Sequence, residues 1–147
     1  MMSEEVRISM NNNGEVPSQG MLIFRIITVK PEMKLSKVKE VMSVIASYNP
    51  TNWPDDNTWD LQLPRWFVNK IKSYSLEEIN QSGHLLWDYG SWLDAMKFRG
   101  WEWFSSKVDH NGFLIYLKAI DFPFSVNPLE YVIYESGVPL SDINFEG

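Results

Sequence analysis

The residues best suited to chemistry lie close together between Asp55 and Asp60. Asp55, Asp56, Asn57 and Asp60 place four oxygen-bearing side chains within six residues, and hard cations such as Ca²⁺ prefer oxygen ligands. The segment lacks the glycine and the distal glutamate of an EF-hand loop, so its spacing predicts no site of that kind. We therefore interpret it as a solvated acidic loop and predict no metal site.

Elsewhere the chain has few residues or motifs that could catalyse a reaction. The chain has two histidines, His84 and His110, and no cysteine. No strand–GxSxG–helix elbow occurs, and Ser91 in "YGSW" is better explained as a helix cap. Phosphate-binding loops of the GxGxxG type are also absent. We predict no enzymatic activity and no cofactor; a carboxylate- or metal-dependent hydrolase is a remaining alternative, because the separation of carboxylates is a three-dimensional property.

The overall charge favours a protein partner over nucleic acid. Lys and Arg number 13 against 19 Asp and Glu, which gives a net charge of -6 and a pI of about 4.9. A duplex binder needs cations against phosphates, so we predict no nucleic-acid partner. An acidic surface instead speeds encounter with a basic protein, although solubility alone also explains it.

Tryptophans flank the acidic cluster in the segment "NPTNWPDDNTWD", residues 49–60. This connection is long for a loop and is a candidate working surface. Indole rings as anchors and carboxylates as steering charge are typical of interfaces. Alternatively, the indoles fold the loop down onto the core. The first set of predicted partner-binding residues is Trp53, Asp55, Asp56, Trp59 and Asp60.

A predicted hairpin supplies a second candidate surface. Asn111-Gly112 is a strong hairpin signal, which predicts strands at 101–109 and 113–121 with His110 facing Phe113. In this register, one face pairs Phe104 with Ala119, Ser106 with Leu117 and Val108 with Ile115. The opposite face carries Trp103 and Tyr116 beside Lys107 and Lys118, and either a helix or a partner covers it. Trp103 and Tyr116 are therefore further partner-binding candidates, and stacking of single-stranded nucleic acid there is a weaker alternative.

Hydrophobic periodicity predicts the elements that position these residues. Alternation predicts strands at Val6 to Met10 and Met21 to Val29, joined by a turn at 11–20. Helical spacing and caps predict about five helices, one of them carrying the apolar stripe Leu35, Val38, Val41, Met42 and Ile45. The predicted fold class is α+β: an antiparallel sheet of about four strands, formed by two hairpins, packed with about five helices.

The chain is expected to form one globular domain over 1–147, with a mobile N-terminus at 1–4 and a loose tail at 139–147. The alternative for the tail is that Leu140, Ile143 and Phe145 anchor it. Its first residues are acidic, unlike a signal peptide. Its longest apolar runs, such as "FLIY", are too short to span a bilayer. We therefore expect no membrane partner and a cytoplasmic location.

The last third, "SWLDAMKFRGWEWFSSKVDHNGFLIYLKAIDFPFSVNPLEYVIYESG", resembles segments of small bacterial immunity proteins encoded beside polymorphic or contact-dependent toxins. The resemblance lies in the "RGWEWFSS" strand, a tight turn, the "LIYL" strand and "PLEYVIYESG". It implies that the chain binds and neutralises one cognate toxin without catalysis. A basic toxin domain would suit the acidic surface. The alternative hypothesis is a structural or regulatory adaptor that acts as a homodimer built on the Trp103 face.

Overall fold

A four-stranded antiparallel sheet forms the framework of the protein. The structure, a computed structural model, describes residues 2–10, 16 and 21–147 and leaves out the side chain of Met21. The strands are β1 Met21–Ile27, β2 Trp101–Val108, β3 Gly112–Ala119 and β4 Ile143–Glu146. They lie in the order β2-β3-β1-β4 with every neighbouring pair antiparallel. The prediction of an α+β fold with about four strands is confirmed.

Seven α-helices accompany the sheet in the described part of the chain, together with a short 3-10 turn at Leu140–Asp142. The longest helix, α2, buries the whole apolar stripe that its spacing predicts and contacts β2 and β3. None of the described helices has the length and apolar character needed to cross a bilayer. The helices are α1 Glu4–Ser9, α2 Pro31–Ile45, α3 Asp56–Gln62, α4 Arg65–Ile71, α5 Leu76–Gln81, α6 Tyr89–Lys97 and α7 Asn127–Glu135.

The N-terminal segment is a helix where alternation predicts a strand. The Ser3 side chain caps α1 by accepting a hydrogen bond from the N–H of Val6 at 3.3 Å, and two glutamates follow in the first turn. Of the alternating apolar residues only Ile8 is buried, whereas Val6 and Met10 are exposed. The predicted first hairpin is therefore wrong. Its predicted turn at 11–20 lies, but for one residue, outside the described residues.

The fourth strand comes from the C-terminus instead. Residues 139–147, expected to be a loose tail, contain the 3-10 turn and β4, which pairs with β1 from Ile26 opposite Ile143 to Ile23 opposite Glu146. Ile143 is buried, and the ring of the neighbouring Phe145 packs 5.0 Å from the buried ring of Phe24. Two apolar side chains thus attach the end of the chain to the core.

The β2–β3 hairpin is present, but its register is offset by two residues from the predicted one. Phe113 pairs with Val108 rather than with His110. The N–H of Asp109 donates to the carbonyl of Gly112 at 2.9 Å, so the tip of the hairpin lies one residue earlier than predicted. Because side chains alternate with a period of two, an offset of two residues leaves the face assignments near the turn unchanged.

Gly112 is needed for the close approach of two strands and not for the turn. It lies in β3 opposite Ile27, and neither it nor Asn111 has a positive φ. A Cβ atom on Gly112 would lie 1.8 Å from the carbonyl oxygen of Ile26. The Asn-Gly pair therefore indicates the correct hairpin for a reason other than the one that makes this dipeptide a turn signal.

A β-bulge in β2 moves two tryptophans to the core side of the sheet. Ser105 pairs with Tyr116, but after the bulge Trp103 pairs with Leu117. One extra residue in a strand exchanges the faces of all residues beyond it. Trp101 and Trp103 are accordingly each 1% exposed. The prediction that Trp103, and with it Trp101 two residues earlier in the same strand, faces away from the core is wrong.

Candidate binding surface

The second half of the predicted acidic loop is the helix α3, and Asp55 begins it. The Asp55 carboxylate accepts hydrogen bonds from the backbone N–H and the hydroxyl of Thr58, at 2.9 and 2.8 Å. These two bonds, the backbone bond first, hold the pKa of Asp55 below its usual value. Asp56 follows in the first turn and is exposed. Both predicted carboxylates therefore lie at the surface, one of them with a structural role as well.

The two indoles of the loop lie largely against the core. Trp59 is completely buried, and the half-buried ring of Trp53 packs against it with centroids 4.7 Å apart. The ring of Tyr48 meets Trp59 edge-on at 5.2 Å. These contacts support the alternative that the indoles hold the loop down. The prediction that Trp59 binds a partner is wrong, because no part of its side chain is accessible, whereas Trp53 keeps part of its ring at the surface.

Asp60 already has a partner within the chain. Its Oδ2 lies 2.6 Å from the Nζ of Lys72, and its backbone carbonyl accepts a hydrogen bond from Arg65 at 2.8 Å. The hydrogen bond from Lys72 is the main cause that lowers the pKa of Asp60. An approaching cation would have to compete with Lys72 for this carboxylate. Asp60 is therefore a weaker contact candidate than Asp55 or Asp56.

Tyr116 lies on a different surface from the loop. It alternates with the buried Ile115 and Leu117 of β3, so it occupies the opposite face of the sheet, where it is half-buried. Its strand neighbours there are Ile23 and Ser105. The predicted site residues are thus divided among the start of α3, the core and the outer face of the sheet.

Substitution of Asp55 separates its capping role from its charge. We expect Asp55→Ala to lower the midpoint of thermal unfolding by a few degrees, since α3 loses its N-cap. We expect Asp55→Asn to leave the midpoint nearly unchanged, because the amide oxygen can still accept the bond from Thr58. Thermal unfolding followed by circular dichroism measures both. Equal midpoints for the two variants would contradict the capping assignment.

An open groove rimmed by exposed apolar side chains lies beside the start of the loop. Its volume is about 810 Å³, and Tyr48 and Pro50 form part of its wall. Phe98, Ile120 and Phe122 line it and are 68%, 54% and 77% exposed. Single exposed apolar residues are ordinary, but several around one concavity make it a candidate interaction site. We call this concavity and its lining residues the groove.

Backbone hydrogen bonds join the two sides of the groove. The carbonyl of Gly100 accepts bonds from the N–H groups of Ile120 and Asp121, at 2.9 and 3.1 Å. Gly100 has a φ of +77°, and a Cβ atom there would lie 3.0 Å from the carbonyl oxygen of Asp121, so the junction requires glycine. Phe98 and Phe122 therefore project from two segments that are bonded to each other.

A buried ion pair lies at the side of the groove nearest the N-terminus. Glu4 Oε1 is 2.6 Å from the Nη2 of Arg99, with side chains 9% and 11% exposed, and its Oε2 accepts the N–H of Trp103 at 2.8 Å. Arg99 also donates to the carbonyls of Met96 and Trp101. Burial raises the pKa of Glu4, and the charge of Arg99 offsets only part of that rise. This contact fastens α1 to the edge of the sheet.

The sequence does not reveal the groove, because its exposed aromatic residues lie outside the helices and strands. Phe98 is the C-cap residue that follows α6. Phe122 precedes Pro123 in a connection between elements. Both residues lie at the ends of predicted elements, where periodicity assigns no face. That they line one groove follows only from the tertiary structure.

Comparisons with known proteins assign no family. No protein-family model matches the chain, and searches of curated proteins and of solved structures give no significant match. Among the residues that the structure describes, no group of three or more His, Asp or Glu side chains is arranged to hold a metal ion. The function is therefore argued from the surface alone.

Proposed function

We propose that this chain is a non-enzymatic protein-binding domain, an immunity protein that binds and neutralises a cognate toxin through the groove. The observation that carries the proposal is the exposure of Phe98 and Phe122, 68% and 77%, beside an open concavity. Accessible aromatic residues around a concavity are typical of binding anchors, because a partner removes a large apolar area from water there.

The charges near the groove support a basic partner. The chain carries a net charge of -6. The segment from Tyr48 to Pro50 forms part of one wall of the groove, and the exposed Asp55 and Asp56 follow after four intervening residues of the same loop. This loop thus supplies both a part of the groove wall and two exposed carboxylates. A basic toxin domain, such as a nuclease that must hold phosphates, would be attracted by this charge.

The proposed action takes place in the cytoplasm of the cell that makes the toxin, where the immunity protein must meet it. The protein needs no disulfide for this role, since the chain contains no cysteine. The proposal also requires no catalytic residue, because occupying the toxin's active surface is sufficient to block it.

The proposal predicts that a toxin domain is encoded next to this gene, and that domain is the partner used in the test. We expect the wild-type chain to bind that domain and to rescue the growth of cells that express it. The double variant Phe98→Ser/Phe122→Ser should weaken the affinity at least about 100-fold, since each residue is expected to be a binding hot spot. Isothermal titration calorimetry and the growth assay measure the two effects.

A matched control removes equally exposed apolar residues outside the groove. Val29 and Leu76 are 74% and 70% exposed and do not line it, so Val29→Ser/Leu76→Ser should bind like the wild type. Failure of the encoded domain to bind, or equal affinity of the two double variants, would contradict the proposal. Sedimentation of the chain alone is a further check: a dimer that dissociates only in the Phe98→Ser/Phe122→Ser variant would make the groove a self-association surface instead.

A further inference from the structure

Two carboxylates at the groove have no ion-pair partner among the described residues. Glu102 and Asp121 are both exposed and line the groove, and neither takes part in an ion pair within 4.0 Å in the described part of the chain. The carboxylate of Asp121 accepts a hydrogen bond from the N–H of Phe122 at 2.9 Å, which orients it beside that ring. Negative charge and aromatic surface therefore occur together.

The cations of the groove are already engaged by neighbouring groups. Arg99 forms the buried pair with Glu4 and donates to two backbone carbonyls. Lys97 lies with its Nζ 5.2 Å from the centroid of the Phe98 ring. The Phe98 ring thus already attracts one cation through its face. With the Glu4–Arg99 pair neutral, Glu102 and Asp121 outnumber Lys97 among the residues that line the groove, so the lining carries a net negative charge. Lys118, which lies opposite Glu102 in β3, does not line the groove.

We propose that the groove receives an arginine-containing segment of the protein partner, an inference that rests on the function proposed above. The guanidinium group would face Glu102 and Asp121, and the aliphatic stem would lie against Phe98 and Phe122. Arginine fits better than lysine, because its planar group both stacks on aromatic rings and forms paired hydrogen bonds with a carboxylate. A groove of about 810 Å³ has room for a short segment around that residue.

The test uses a defined peptide, acetyl-Gly-Leu-Arg-Leu-Gly-amide, and a second peptide in which citrulline replaces arginine. Citrulline has nearly the same shape without the charge. We expect the arginine peptide to shift the backbone amide resonances of residues 98–102 and 120–123 in heteronuclear NMR spectra. The citrulline peptide should bind at least about tenfold more weakly, because a charge-assisted hydrogen bond becomes a neutral one.

Two pairs of charge-removing variants locate the effect. The double variant Glu102→Gln/Asp121→Asn should lower the affinity for the arginine peptide about tenfold or more. The double variant Asp55→Asn/Asp56→Asn has the same change in net charge and should change that affinity less than about twofold at physiological salt. Equal binding of the two peptides, or no shift at the groove, would overturn the proposal. If the toxin domain still binds and still depends on Phe98 and Phe122, the protein-binding function survives that result. If the toxin domain does not bind, that function fails whatever the peptide does.

Discussion

Replacing Arg99 by methionine is expected to destabilise the fold by about 3–5 kcal/mol at neutral pH, because it leaves a buried carboxylate without its counter-charge. Glu4 has a side chain only 9% exposed and lies 2.6 Å from Arg99. Methionine keeps an apolar chain of similar length, so packing is disturbed little. Urea unfolding followed by tryptophan fluorescence measures the loss.

The penalty should also depend on pH in a defined direction. Burial raises the folded-state pKa of Glu4, with the charge of Glu102 adding to that rise, and Arg99 opposes it. When the folded pKa exceeds the unfolded one, the folded state binds more protons between the two values, and stability is lost as pH rises through that window. Removing Arg99 raises the folded pKa further. The difference in the free energy of unfolding between the Arg99→Met variant and the wild type should therefore shrink as the pH falls from about 7 to about 5.

Lys72→Met is the matched control for Arg99→Met. Lys72 pairs with Asp60 at the same distance of 2.6 Å, but the two side chains are 46% and 30% exposed. Lys72→Met should lower the free energy of unfolding by less than about 1 kcal/mol, because solvent screens an exposed ion pair. Hydrogen exchange at the Trp103 amide, which donates to Glu4, should accelerate only in the Arg99 variant. Equal penalties for the two variants would contradict the buried contact between α1 and the sheet.

Gly112→Ala is expected to destabilise the fold by about 3 kcal/mol or more, a cost at the upper end of overpacking effects. The added methyl group would lie 1.8 Å from the carbonyl oxygen of Ile26. That oxygen belongs to β1, one of the two inner strands, so relief of the clash requires β1 and β3 to separate where they are paired. Thermal and urea unfolding measure the effect.

Gly90→Ala provides the comparison for Gly112→Ala. Gly90 lies in the first turn of α6, and the nearest atom to a Cβ there is Asp88 Oδ2 at 3.6 Å, an ordinary contact. This variant should stabilise the protein by up to about 1 kcal/mol, because alanine is the better helix former. A Gly112→Ala protein as stable as the wild type would mean that β3 does not pair with β1 in the register described.

Local signals located the apolar stripe of one helix and the cap of another, but they misplaced the cap of a third. The apolar stripe of α2 is buried at all five predicted positions. Ser75 and Glu78 have the spacing that predicts a capping box, and the box is present in full at the start of α5. In α6, however, the cap is Asp88 and not the predicted Ser91, which lies inside the helix. Caps and stripes depend on residues three or four apart, so they can be read without knowledge of the rest of the chain.

The candidate site was predictable only in part. The surface position of Asp55 and Asp56 follows from composition, because acidic residues beside proline rarely enter a core. The burial of Trp59 and Trp103 does not follow from the sequence, since an aromatic residue in a polar segment suits both a core and an interface. The groove depends on the bonded junction between Gly100 and Ile120, which are 20 residues apart in the sequence.

By itself, the sequence determined the α+β class, the principal helices, the β2–β3 hairpin and the acidic character of the surface. These follow from short-range periodicity and from the charges of the side chains. Only the tertiary structure decided that the N-terminus is a helix on the edge of β2, that the C-terminus supplies the fourth strand and that a bulge turns Trp101 and Trp103 inward. The physical reason is that strand pairing is completed by residues far apart in the chain. One inserted residue exchanges the faces of a strand without any mark in its local pattern.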